Sequence, residues 1–171
     1  MKVRRAKREE IDVISSLMCR NFLEVNIRDY PRQVMEELAE NHVPERVLKI
    51  AENGHMYVAQ DGGGRIIGTG TICRMDGSAA DSYIMSVSVL PECHGKGIGR
   101  RIMEALEADK LFAATERTEL HASITAHRFY GKLGYRYMTD RKQPDELGLY
   151  HMEKWHEQQN GEAKRTEELE L

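Results

Sequence analysis

A chain of 171 residues, 40% hydrophobic and 31% charged, has enough apolar material for one buried core and too little one-signed charge for a disordered polyelectrolyte. Its net charge of −3 lacks the basic surplus of a phosphate-neutralising surface, so nucleic acid is not an expected partner. No apolar run approaches the roughly 20 residues that cross a bilayer, no signal-like stretch follows the basic start from Met1 to Arg8, and Cys19, Cys73 and Cys93 are too scattered for a disulfide framework or a Cys-x-x-Cys metal site. A reduced, cytoplasmic setting away from membranes is the expectation.

The chain opens with a short predicted strand, Lys2 to Ala6, and a helix from about Arg8 to Phe22, where Ile11, Ile14, Leu17, Met18 and Phe22 recur at helical spacing. Pro31 suits the first turn of a second helical region, anchored by Val34, Leu38, Val47 and Ile50 and divided by Pro44. Two strands, Met56 to Ala59 and Ile66 to Ile72, flank the hairpin turn Asp61-Gly62-Gly63-Gly64. The loop Asp76-Gly77-Ser78 leads to a strand over Tyr83 to Leu90, which Pro91 ends by removing a donor. A helix to about Ala114 follows, with Ile98, Ile102, Leu106 and Phe112 as its buried stripe. Then come a strand over Leu120 to Ser123, a helix over Thr125 to Leu133 stopped by Gly134, and closing strands over Tyr135 to Met138 and Leu149 to Met152. The strand–helix–strand step from Tyr83 to Ser123 implies parallel neighbours joined by a right-handed crossover. Residues 1–156 read as one domain and residues 157–171 as a polar, frayed tail.

The most informative stretch runs from Val87 to Arg101: a strand ends, glycines stand at 95, 97 and 99, and a helix begins. The first N–H groups of such a helix lack carbonyl partners and lie at the positive end of its dipole. Bare glycine backbone with Lys96, Arg100 and Arg101 beside it suits a pyrophosphate. The dinucleotide fingerprint fails at Arg100, and the nucleoside-triphosphate loop fails at Gly97, where Ser or Thr should follow Lys96. The glycines alone also fit a turn built only for tight packing. Cys93, just ahead of the turn, reads as a surface loop residue. The histidines at 42, 55, 94, 127, 151 and 156 have no zinc-protease spacing and no carboxylates cluster along the chain, so no metal is expected.

His94-Gly95-Lys96-Gly97-Ile98-Gly99 resembles the coenzyme A signature of the GNAT superfamily of N-acetyltransferases, which is Gln or Arg, two residues, Gly, one residue, then Gly or Ala. His94 departs from the pattern at its first position. Ser123 to Tyr135 is similar to the family's later motif, Asn-x-x-Ala-x-x-Phe-Tyr with a following Gly-aromatic pair, and Ser123 stands where Asn is common. The two motifs cover roughly Tyr83 to Met138.

The resemblance implies a GNAT-like acyl-CoA N-acyltransferase fold: an α/β (α+β) domain with a central mixed, mostly antiparallel sheet, one parallel strand–helix–strand crossover, and helices on both faces. It implies acetyl-CoA as cosubstrate, held by the backbone beside Val87 and Val89, by His94, Gly95, Lys96, Gly97, Ile98, Gly99 and Arg100, and by Ser123, Ala126 and Phe129. Tyr130 stands at the family's tyrosine position and is the candidate general acid for the departing sulfur. His121, on the strand before Ser123, is the candidate base, with Glu119, Asp81 and Glu153 as other candidates near strand ends. The acceptor would be an amine-bearing small molecule or protein, contacted by the segment Asn26 to Pro31 and Arg28, Asp29 and Tyr30 within it. A homodimer through the closing strands is compatible with the family. The alternative class is a noncatalytic acyl-CoA-binding regulatory module.

Overall fold

A computed structural model describes residues 1–139 and 142–156, and the tail at 157–171 lies outside the described residues. Seven strands form one sheet: β1 (Lys2–Arg5), β2 (Gly54–Gln60), β3 (Ile66–Arg74), β4 (Asp81–Val89), β5 (Arg117–Ala122), β6 (Arg136–Tyr137) and β7 (Tyr150–Trp155). Their spatial order is β1-β2-β3-β4-β5-β7-β6. Every neighbouring pair is antiparallel except β4 and β5. That parallel pair is joined by α4 (Ile98–Glu107) and α5 (Lys110–Ala113), the crossover expected from the sequence.

Both faces of β3 are covered. A Cβ placed at Gly68 or Gly70 would lie 2.7 Å from the Ile102 side chain, so α4 rests directly on the bare backbone of this strand. Thr69 and Thr71 alternate with those glycines and point the other way, yet they are fully buried as well. That second face is covered by α1 (Ile11–Glu24) and α3 (Pro44–Asn53), with α2 (Arg32–Asn41) packed against α1. The buried apolar positions of α1, Ile11, Ile14, Leu17 and Met18, are four of the five residues expected for that stripe, and the fifth, Phe22, is partly buried.

Several boundaries differ from the sequence expectation for identifiable reasons. The first α-helix begins at Ile11 rather than Arg8, because Arg8–Glu10 form a 3-10 turn. There the Glu10 carboxylate accepts from the Lys7 N–H at 2.9 Å and from the Arg4 guanidinium. Pro31 sits just before α2 and Pro44 opens α3. The strand leading into Ser123 starts earlier, at Arg117, and the following helix shrinks to α6 (His127–Gly131). The last strand runs on to Trp155, and it inserts between β5 and β6.

The long helix expected to reach Ala114 instead stops at Glu107. Asp109 begins a new one by accepting from the Leu111 N–H at 2.8 Å. The same carboxylate, 5% exposed, accepts from the Tyr57 hydroxyl at 2.6 Å and meets His55 Nδ1 at 2.7 Å. It therefore ties the crossover to β2. Burial alone would raise the Asp109 pKa, but the Leu111 amide, Tyr57 and His55 together hold it below the ordinary carboxylate value. A depressed pKa contributes stability that is present above the unfolded value of about 3.9 and lost as pH falls through the folded one. Asp109→Asn should therefore lower the melting temperature at pH 7 and flatten its fall on acidification below about pH 4, measured by thermal denaturation across pH. A fall as steep as in the parent chain would remove Asp109 from that role.

Candidate active site

The site begins with an irregularity in β4. Thr69 pairs with Ser88 and Thr71 with Met85, so Gly70 faces two residues, Ser86 and Val87. This is a β-bulge, and Ser86 holds φ at +57°, a left-handed conformation that non-glycine residues rarely adopt. Pairing with β5 spans only Asp81 to Ile84. From Met85 onward β4 parts from β5, and the β5-facing backbone edge of Met85 to Val89 has no strand partner. Val87 and Val89 lie on this edge. The Val89 carbonyl accepts from Asn21 Nδ2 and from His94 Nε2, each at 2.8 Å. The imidazole of His94 thus folds back to anchor the strand end, and Asn21 of α1 does the same from the other side.

The glycines of the following turn serve different ends. Gly95 and Gly97 hold φ at +74° and +76°, and nothing lies within 4 Å of a Cβ built on either. Their requirement is backbone conformation, and the space outside them is clear. Gly99 has an ordinary φ, and a Cβ there would sit 3.3 Å from the Phe129 ring, so its smallness serves helix packing as well as leaving the cleft wall bare. The Lys96 ammonium donates to the Glu92 carbonyl at 3.0 Å and the residue is absent from the cleft lining, whereas Arg100 on the first turn of α4 lines it.

The second motif faces this turn across the gap. The Ser123 carbonyl accepts from Ala126 and His127, each at 3.0 Å, and so starts α6. Tyr130 is 7% exposed, and its ring meets Phe129 and Tyr135 edge-on at 5.1 and 6.0 Å. Burial, with Tyr83 nearby, pushes its phenol well above the usual value. Tyr130 therefore stays protonated at neutral pH, the form that can donate, at some cost in acid strength.

His121 projects from β5 into a small polar network. Its Nε2 lies 3.2 Å from Glu119 Oε1, its ring is 3.8 Å from that of His151, and it meets Tyr83 edge-on at 5.3 Å. His151 is held by Asp145 at 2.8 Å. Glu119 and His121 share a face of β5, and His151 is the direct cross-strand partner of His121. Donor atoms of these three residues fall within 4.8 Å of one another, close enough to share a metal ion, a grouping that linear spacing hid. Arg117, 3.8 Å from Glu119 and paired with Asp81 and Glu153, brings positive charge to the same face and opposes a cation. The two remaining base candidates, Asp81 and Glu153, are thus engaged by Arg117 and do not line the cleft.

These parts surround one cleft of about 980 Å³. Tyr130, His121 and every residue expected to hold the coenzyme except Lys96 line it, as does Tyr30, whereas Arg28, Asp29 and the other base candidates, Glu119, Asp81 and Glu153, do not. The bulge at Ser86, the Asn21 clamp and the Glu119–His121–His151 grouping escaped sequence reading, because each depends on register between distant segments. The loop between α1 and α2 bridges the cleft: the Tyr30 hydroxyl donates to the Gly148 carbonyl at 2.8 Å and accepts from the Ile124 N–H at 3.0 Å. Asp29 bonds the Thr125 hydroxyl beside it. Among the described residues no helix is long and apolar enough to cross a membrane.

The fold recurs in solved structures. PaiA N-acetyltransferase from Thermoplasma acidophilum, solved in complex with coenzyme A, superposes with a TM-score of 0.74 at 16% identity, covering 91% of this chain and 98% of that one. A GCN5-related N-acetyltransferase from Rhodopseudomonas palustris gives 0.75 at 18% identity over 91% and 95% of the two chains. YncA from Salmonella typhimurium, solved with its cofactor acetyl-CoA, gives 0.66 at 16% identity over 91% and 93%. At these identities the likeness is one of fold. No curated protein matches the chain by sequence. The profile of the acetyltransferase (GNAT) domain matches residues 26–155, which span the sheet from β2 to β7 and all of the cleft lining except the α1 side, Met18 to Val25. The chain belongs to the GNAT family of acetyltransferases.

Proposed function

We propose that this protein moves the acetyl group of acetyl-CoA to a primary amine by direct attack within a ternary complex. The observation that carries the reading is one cleft lined by the open edge of β4, the left-handed glycine turn, Tyr130 and His121. Two fold neighbours solved with coenzyme A and with acetyl-CoA support the same cosubstrate here.

The residues fit that cosubstrate. The edge of β4 at Val87 and Val89 receives the pantetheine arm as an added strand, through backbone groups. The turn from His94 to Gly99 holds the diphosphate with its N–H groups, Lys96 included, and Arg100 adds charge. Ser123, Ala126 and Phe129 close on the coenzyme from the side of α6. Bound acetyl-CoA supplies an activated thioester carbonyl, and the remaining tasks fall to the chain. A backbone N–H of β4 polarises that carbonyl oxygen. With Nε2 of His121 donating to Glu119, Nδ1 carries the lone pair that removes the acceptor's proton. The acceptor nitrogen bonds to the acetyl carbon as the carbon–sulfur bond breaks, and Tyr130 donates to the departing sulfur. The products are an acetamide and the free thiol.

His121→Ala should slow thiol release from acetyl-CoA about 10²-fold while leaving coenzyme affinity unchanged. An unaltered rate would remove His121 from the mechanism.

A further inference from the structure

The acceptor half of the cleft has its own chemistry. Away from the glycine turn it is walled by Phe22 and Val25 of α1, Val34 and Leu38 of α2, and Leu147 and Leu149 before β7. Val34 and Leu147 remain 44% and 74% exposed, so apolar surface continues out to the mouth. Glu37 is the one carboxylate among the described residues of the lining. Other nearby acids are already committed: Asp29 to Thr125, Asp145 to His151 and two backbone amides, and Glu119 to His121.

This wall discriminates among amine classes. A polyamine would bring several ammonium groups to a site whose one lining carboxylate, Glu37, already accepts from Gln33 at 3.1 Å, leaving the others desolvated without partners. An amino sugar would lay most of its hydroxyls against these aliphatic side chains, with Asn26, Asn41 and Thr125 too few to bond them all. A polypeptide needs a groove open along its length, and the Tyr30 bridge to Gly148 and Ile124 spans this one. A small amine with an aryl or alkyl body meets none of these costs and buries its body against the wall at about 25 cal/mol per Å².

We infer that the acceptor is a compact primary monoamine with an apolar body, seated between α1, α2 and the segment before β7 with its nitrogen toward His121. The inference rests on the acetyl-transfer reading above. Its product is an N-alkylated acetamide, a neutral compound formed from a cation.

The test compares kcat/KM by thiol release for 2-phenylethylamine, hexylamine, spermidine, glucosamine and a short peptide with a free N-terminus, on the full chain with saturating acetyl-CoA. The two apolar monoamines should exceed the other three by at least about 10-fold, the discrimination that one or two methylene contacts supply. Val34→Asp alters an exposed position and should raise KM for 2-phenylethylamine about 10-fold, with coenzyme affinity and melting temperature unchanged. Preference for spermidine, glucosamine or the peptide would overturn the inference. So would coenzyme binding by calorimetry with neither turnover nor measurable binding of either monoamine, an outcome that spares the coenzyme reading. Loss of coenzyme binding itself would instead bring down that reading and this inference with it.

Discussion

Tyr130→Phe should leave the protein folded and the coenzyme bound while slowing acetyl transfer about 10²–10⁴-fold, the usual worth of a positioned acid. Tyr130 packs through its ring against Phe129 and Tyr135, and phenylalanine keeps both contacts. Among the described residues the hydroxyl is in no hydrogen bond, although the residue lines the cleft. That hydroxyl is not among the buried polar atoms left without a partner, so the proposed role as acid to the departing sulfur needs no rearrangement of the ring. Measuring kcat, coenzyme affinity and melting temperature on the same preparation separates the two roles. A tyrosine that only packs would leave kcat where it was.

Ile102→Ala should be among the most damaging single changes to stability, costing about 3–4 kcal/mol. The Ile102 side chain is fully buried and fills the notch that Gly68 and Gly70 leave in β3, approaching both positions so closely that neither could carry a methyl group without displacement. With glycines opposite, β3 has no side chain to refill the space, so much of the cavity persists. For a chain of this size the loss corresponds to a melting temperature lower by roughly 6–16 °C, read by calorimetry or circular dichroism. A shift of only a degree or two would mean that β3 and α4 close up and that their contact is less rigid than the glycines imply.

Local patterns carried well from sequence to fold, as did the β2–β3 hairpin, the parallel β4–β5 step and the closing strand pair, whereas side-chain pairings between distant segments did not. Pro91, the glycines at 95 and 97 and the apolar stripe at Ile98, Ile102 and Leu106 announced a strand, a turn and a helix because each acts within its own few residues. The split at Asp109 was masked by Phe112, which continues an apparently helical spacing while Asp109 caps a new helix through Leu111. Ser86 gave no sign of its left-handed backbone, since serine has no intrinsic need for it; the bulge arises where β4 must pair with β3 and leave β5. Asn21 and Val89 lie far apart along the chain, as do His121 and His151, and only the docking of α1 and the register of β5 on β7 bring them together.

The central claim is that the open edge of β4 and the left-handed turn at Gly95 and Gly97 form a seat for a pantetheine diphosphate. Titration calorimetry of the full chain with coenzyme A tests it most directly, with Gly97→Val as the paired control, since a branched side chain resists a φ of +76°. Saturable one-to-one binding at about 1 μM–1 mM, weakened at least about 10-fold in the variant, is the predicted result. Absence of heat at several times the upper end of that range, or equal binding by the variant, would contradict it.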